Sequence, residues 1–272
     1  MDYKTLFNIN KRVAVITGAG GMLGKEIAIA LAQYGAKLAL IDVNEAEIKQ
    51  LSKQIQSKYG VETVAIQCDV SQPDDVKDMT NKVEKCLGPI EILLNNAASK
   101  GKSLKEYFNL LEKYNYNTWK EIMSVNLDGM YLVAKEIGTK MAKRKKGSII
   151  QVASIYSSNM ASDQRIYKGS RYLNTEINTP AVYAVSKAGV VGLTLHLASY
   201  WASKKIRVNT LSPGGIFSGQ NKTFVKKYSE RVPMKRMAEK EEMIGAILYL
   251  ASDASTYVTG QNIFVDGGLS SW

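Results

Sequence analysis

Val13-Ala-Val-Ile-Thr17-Gly-Ala-Gly-Gly-Met-Leu-Gly24, with the amphipathic run Lys25–Tyr34 behind it, decides the fold class of this 272-residue chain. Val13–Thr17 is short, β-branched and flanked by turn residues, so it reads as a buried strand. The glycine-rich turn then opens directly into a helix. Gly18 permits a tight turn, and the missing β-carbons let backbone N–H groups approach a phosphate at the positive end of the helix dipole. A strand, a glycine turn and a helix in this order suit the pyrophosphate of a dinucleotide. Gly18, Gly20, Gly21, Met22 and Leu23 are the candidate phosphate contacts. A plain glycine turn is the alternative, since the GxGxxG spacing is missed by one residue.

Outward from this unit the pattern repeats to the end of the chain. Lys37–Ile41, Thr63–Gln67, Ile90–Leu94, Ser148–Val152, Arg207–Leu211 and Asn262–Val265 read as further buried strands. Amphipathic stretches lie between them, for example Glu45–Tyr59 and Pro73–Cys86, with Ser71 as the expected cap of the latter. Seven strands alternating with helices predict a Rossmann-type, doubly wound α/β domain. Its parallel sheet would be covered on both faces, and one domain would span 1–272. Asp42 ends the second strand 18 residues after Gly24, where a carboxylate holds the ribose hydroxyls of NAD. A 2′-phosphate there would meet a like charge, and Val43-Asn44 offers no arginine, so NAD is expected rather than NADP. Asp69 ends the third strand, where a cofactor contact and a helix cap are both open.

Composition excludes several classes. There are 36 Lys+Arg against 25 Asp+Glu, a net charge of +11. The basic clusters are read as solvated surface, because no recognition helix or stacking platform accompanies them. No nucleic-acid or membrane partner is expected. No unbroken apolar stretch of the roughly 18 residues needed to span a bilayer is present. Two cysteines, Cys68 and Cys86, show no metal or disulfide spacing, and the start lacks a secretory signature, so a cytoplasmic protein without a metal site is expected.

Tyr183-Ala-Val-Ser-Lys187 opens another helical run, Val182–Ser203. Residues four apart share a helix face, so the phenol and the ammonium can serve one site. A nearby cation is expected to lower the phenol from its usual ~10 toward a working general base. His196, 13 residues further along this helix, is read as a core or interface residue.

Taken in order, Thr17–Gly24, Asp42, Asp69, Asn95-Asn-Ala-Ala98, Val125-Asn126, Val152-Ala-Ser154, Tyr183–Lys187, Ser212-Pro-Gly214 and Val265-Asp-Gly-Gly268 resemble the short-chain dehydrogenase/reductase family over almost the whole chain. The resemblance implies an NAD-dependent hydride transfer on a secondary alcohol or ketone. It makes Tyr183 the acid/base, and gives Lys187 the tasks of lowering its pKa and holding the ribose. Ser154 would orient the substrate oxygen, and Asn126 would help hold a proton-relaying water. Asp69, Val70, Asn96, Ala97, Pro213 and Gly214 would flank the cofactor, with the Ile216 backbone and the Ser218 hydroxyl meeting its carboxamide. The chain departs from the family pattern at Met22, Ala98 and Ser218. Its TGxxGxxG form also keeps open an extended-branch nucleotide-sugar epimerase or dehydratase, and a non-catalytic NAD-binding scaffold is the third reading.

Ile166-Tyr-Lys-Gly169, Ser212–Phe217, Lys226–Pro233 and Asp266–Trp272 further resemble bacterial oxidoreductases of flagellin-modification and sialic-acid-like sugar pathways. That likeness implies an amino-sugar, sugar-phosphate or nucleotide-linked sugar as substrate. Tyr183 follows Ser154 by 29 positions, about twice the family's usual gap, so an insertion over about 157–182 and a lid over about 217–236 are expected near the active site. Tyr156, Arg165, Lys168 and Arg171 are the candidate substrate residues, the cations for an anionic sugar; a surface or subunit contact is the alternative. The family resemblance also implies a homodimer or homotetramer, with Ile122, Val125, Leu132 and Val133 fitting a buried face.

Overall fold

The computed structural model describes residues 3–157 and 160–271. Trp272, and Ser158 and Asn159 of the insertion, lie outside the described residues. Seven parallel strands run in the order β3-β2-β1-β4-β5-β8-β9: β1 Val13–Thr17, β2 Lys37–Asp42, β3 Thr63–Gln67, β4 Ile90–Asn95, β5 Gly147–Val152, β8 Ile206–Pro213 and β9 Asn262–Val265. The expected strands are all present, within a residue or two at their ends.

Alternation along β1 shows why both faces must be covered. Ala14 and Ile16 point into a core shared with α1 (Met22–Gln33), α2 (Glu45–Tyr59) and α9 (Ile244–Ala251). Val13 and Val15 point into the opposite core, shared with α3 (Pro73–Leu87), α6 (Met130–Arg144) and α7 (Ala181–Trp201). Every β1 residue is buried, because successive side chains take opposite sides of a sheet that has helices on both.

Two local expectations are revised. The helix after the glycine turn starts at Met22, with Gly21 as its cap residue, so its free N–H groups lie inside the turn itself. Ser71 does not cap α3; it donates to Asp69 Oδ1 through both its N–H and its hydroxyl, and Gln72 takes the cap position. Helix α7, although interrupted by Lys187, is apolar enough over 18 residues (mean hydropathy 1.4) to match a membrane span. It instead packs through Val190, Leu197 and Trp201 on the sheet and its neighbours.

The insertion is built rather than loose. It carries a short turn of helix, Gln164–Tyr167, and an antiparallel hairpin of β6 (Arg171–Tyr172) and β7 (Thr175–Glu176). Leu173 and Asn174, both at positive φ, make its two-residue turn. Ile166 anchors it against Phe224 and Tyr228 of α8 (Lys222–Arg231), the helix of the expected lid.

Candidate active site

The sheet order reverses between β1 and β4, and the crevice at their carboxyl ends is where such sheets bind ligands. Thr17 Oγ1 accepts the N–H groups of Asn96 and Ala97, and Asn96 Nδ2 donates to Thr17 O at 3.1 Å, tying the two strand ends together. Gly18 sits at φ +66, and a Cβ there would stand 2.9 Å from Ala97 Cα, so only glycine closes this turn. Gly24 presses its helix onto the Gly18 carbonyl. Asp42 lies at the rim: Oδ2 accepts the Gly20 N–H at 2.9 Å and Oδ1 the Asn44 N–H at 3.0 Å.

Across the crevice, the end of β5 and the first turn of α7 bring Ser154 and Tyr183 to the same cavity wall. Lys187, one turn along, is buried and donates Nζ to Val152 O at 2.8 Å. Asn126 lies in a π-helical segment, Ser124–Gly129, between α5 (Tyr116–Met123) and α6. Such bulges interrupt the regular ladder and recur at functional sites. Asn126 Oδ1 accepts the Ser99 N–H at 2.7 Å, while its buried Nδ2 finds no acceptor among the described residues. An orphaned buried donor is the kind of group that ordered water satisfies, which fits a proton relay. Asn95 steadies the same bend by donating to Met130 O.

The electrostatics correct one expectation. Burial raises the Tyr183 pKa, opposed by the Ser154 hydrogen bond, and Lys187 is not among the causes. Lys187 is itself pushed down by burial, to about 8. Burial is thus the largest influence on the phenol and acts against the expected lowering.

A cavity of about 390 Å³ joins these groups. Met22, Leu23 and Asn96 line it on the glycine-turn side, Pro213, Gly214, Ile216 and Ser218 beneath, and Ser154, Tyr183 and Lys187 at its centre. Asp69 does not reach it; its carboxylate holds the turn before α3. Val70 is buried against Gly129 of the π-helical segment.

Of the substrate candidates, Tyr156 lines the cavity, joined by Tyr167 and Tyr172 from the insertion. Arg165, Lys168 and Arg171 do not line it. Arg165 is mostly exposed and holds Asp163 through two 2.9 Å bonds, keeping that carboxyl down at about 2. Asp163 also pairs with Arg231 of α8, so this charge couples insertion to lid. Arg171 faces Glu176 at 3.8 Å across the hairpin, and Lys168 lies in an outer groove that adjoins the cavity through Phe108 and Tyr167. The acidic partners of the two arginines, Asp163 and Glu176, stand in the insertion itself, and only the folded chain shows that they pair with them.

Two residues at the cavity escaped that reading. Lys100, in the loop after β4, places Nζ 4.3 Å from the Tyr172 ring centroid. Gln220 offers a carboxamide of its own to the groups expected to meet that of a nicotinamide. Its Nε2 donates to Ile216 O at 3.2 Å and to Ser218 Oγ at 3.1 Å, and its Oε1 accepts the Ser218 N–H at 2.8 Å. Neither carries a sequence signal beyond its position in a loop.

This geometry coincides with comparison to known proteins. The profile of the family described as short chain dehydrogenase matches residues 12–229. The chain belongs to the short-chain dehydrogenase family. It is therefore an oxidoreductase, and the glycine turn, the Ser154–Tyr183 pair and Lys187 fit a nicotinamide cofactor. Among its relatives, a sorbose reductase of Candida albicans is 35% identical, covering 97% of this chain and 88% of that protein. A galactitol 2-dehydrogenase (L-tagatose-forming) of Cereibacter sphaeroides is 31% identical over the full length of both. A solved gluconate 5-dehydrogenase from Burkholderia cenocepacia, in complex with NADP and tartrate, is 30% identical with a TM-score of 0.84, each chain covered to 98%. The short-chain family thus accounts for the sheet order and the architecture as a whole.

Proposed function

We propose that this short-chain dehydrogenase interconverts a secondary alcohol and a ketone on a small, hydroxyl-rich, sugar-like substrate, with NAD as its cofactor. The observation that carries the reading is the meeting of Ser154, Tyr183 and Lys187 at the centre of one cavity, walled on one side by the cofactor crevice and on the other by aromatic residues of the insertion and α8. Bound nicotinamide supplies or accepts the hydride at the substrate carbon. The chain's own groups manage the oxygen. In the reducing direction the protonated Tyr183 gives its proton to the carbonyl oxygen, and Ser154 Oγ donates a second hydrogen bond to it; oxidation returns the proton to Tyr183. Lys187 supports Tyr183 from the same helix face and is placed to meet the ribose, and Asn126 serves the relay.

Asp42 supports NAD, since its carboxylate stands at the end of β2 beside the glycine turn with no arginine following. The Burkholderia structure contains NADP, so the choice rests on this chain's own residues. The cavity volume supports a free monosaccharide-sized substrate over a nucleotide-linked one. It lies near the low end of the roughly 300–1,000 Å³ usual for ligand sites, and the nicotinamide must share it. An extended-branch epimerase would need a substrate domain; between β8 and β9 the described residues form only α8, α9 and short turns. Two segments of the narrower likeness, Ile166–Gly169 and Lys226–Pro233, meet in the fold, where Lys227 Nζ donates to Lys168 O at 2.5 Å.

Self-association is part of the proposal, on a different face from the one expected. Ile122 and Val133 are fully buried within the chain, and Val125 and Leu132 pack on its core. The exposed apolar residues of α6 and α7 are Tyr131, Val185, Leu195 and Tyr200, and these suit a two-fold partner. The oxidoreductase reading is tested by incubating the protein with NAD or NADP and polyols, aldonates and sugar phosphates while following nicotinamide absorbance. Turnover of secondary alcohols, lost in Tyr183→Phe, is expected. Full turnover in that variant would overturn it.

A further inference from the structure

The cavity wall contains no carboxylate among the described residues, and only two cations, Lys100 and Lys187. Lys187 is committed to Val152 O beneath the catalytic tyrosine. Lys100 is different. No carboxylate pairs with it among the described residues, and its one close partner is the Tyr172 ring. The residue remains exposed, since its side chain opens to the cavity. The surrounding protein nevertheless desolvates the ammonium and lowers its pKa. An incoming anion would compensate that charge where nothing in the chain does.

The arrangement originates in the insertion. Tyr172 belongs to β6, in the hairpin created by the long segment between Ser154 and Tyr183. A cation over an aromatic face is held by the ring quadrupole, so the insertion contributes to charge recognition by positioning Lys100. Its own cations are turned to other partners, Arg165 to Asp163 and Arg171 to Glu176.

We infer that Lys100 is a specificity-determining residue that selects substrates bearing an anionic group, a carboxylate or phosphate on a monosaccharide-sized polyhydroxy chain, over the corresponding neutral polyol. The inference rests on the oxidoreductase reading of the same cavity, and the test separates the two. Binding is measured by calorimetry to the enzyme saturated with NADH, where an alcohol ligand and a reduced cofactor cannot react. The probes are D-gluconate, D-galactonate and D-glucitol 6-phosphate, against the neutral D-glucitol and galactitol.

At least one anion binds tenfold or more tightly than its neutral counterpart, and whether it is an aldonate or the phosphate identifies the anionic group. In Lys100→Met and Lys100→Gln that ratio falls to near one, while Lys100→Arg retains it; NADH binding to each variant reports an intact fold. Equal affinity of the wild type for anions and neutral polyols overturns the inference, as does a preference that survives in Lys100→Met. Failure of the oxidoreductase reading shows separately, as absence of turnover with every alcohol and both cofactors.

Discussion

Replacing Lys187 with methionine is expected to make the protein more stable at neutral pH while removing its activity. The Lys187 ammonium is buried, with Val152 O as its hydrogen-bond acceptor and burial holding its pKa near 8. The depression from 10.5 to about 8, at about 1.4 kcal/mol per pH unit, means that keeping this ammonium charged costs the fold roughly 3 kcal/mol. Methionine removes that cost in a similar volume, but it strands the Val152 carbonyl, at about 1–3 kcal/mol. A net gain of about 1 kcal/mol follows, or roughly 2–4 °C in Tm for a chain of this size. The sign with pH is definite. Between about 8 and 10.5 the unfolded lysine binds a proton that the folded one does not, so wild-type stability from this group rises with pH through that window. The advantage of Lys187→Met is therefore full below about pH 8, gone about one pH unit higher, and reversed by about 10.5. Denaturant unfolding at pH 7 and pH 9.5 measures both. A stability difference that does not change between those two pH values would refute the reasoning, and so would a variant clearly less stable than wild type at pH 7.

Tyr183→Phe is expected to lower kcat by about 10²–10⁴ with NAD affinity nearly unchanged, because general acid–base groups contribute on that scale; more than about a tenth of wild-type rate would contradict the assignment. NAD(H) should bind at least about tenfold more tightly than NADP(H), ~1.4 kcal/mol, and Asp42→Ala should erase most of that gap in calorimetric titration. Gln220→Ala releases Ile216 O, the Ser218 N–H and Ser218 Oγ for the cofactor. It should tighten NADH binding by roughly 2- to 10-fold, the worth of about one hydrogen bond, and weaker binding would show that Gln220 assists the cofactor instead. Light scattering at micromolar concentration should report a dimer or larger, shifted toward monomer by Leu195→Glu on the exposed face of α7.

The sheet was legible because its cause is local. Strands buried on both faces need runs such as Val13–Thr17, helices over them need a 3.6-residue stripe, and neither signal depends on distant parts of the chain. The glycine turn, Asp42 at a strand end and the Tyr183/Lys187 spacing were legible for the same reason, each being a few residues on one element. The resemblance added Ser154 and Asn126, which physics alone would not have singled out in a serine- and asparagine-containing sequence. What misled was charge. Arg165, Lys168 and Arg171 stand beside one another and look like an anion site. In the fold, Arg165 is held by an aspartate that Arg231 also claims from 68 residues along the chain.

By itself, then, the sequence determined the doubly wound sheet, the glycine turn at one end of the crevice and the residues proposed to handle the proton. Tertiary structure alone decided their surroundings: that burial raises the Tyr183 phenol, that Gln220 bonds Ile216 and Ser218, and that Lys100 lines the cavity beside Tyr172 with no carboxylate partner among the described residues. The physical reason is that pairing and desolvation depend on every group brought within a few ångströms. The cavity gathers those groups from the loops after β1, β4, β5 and β8 and from the lid, segments whose proximity exists only once the chain has closed around them.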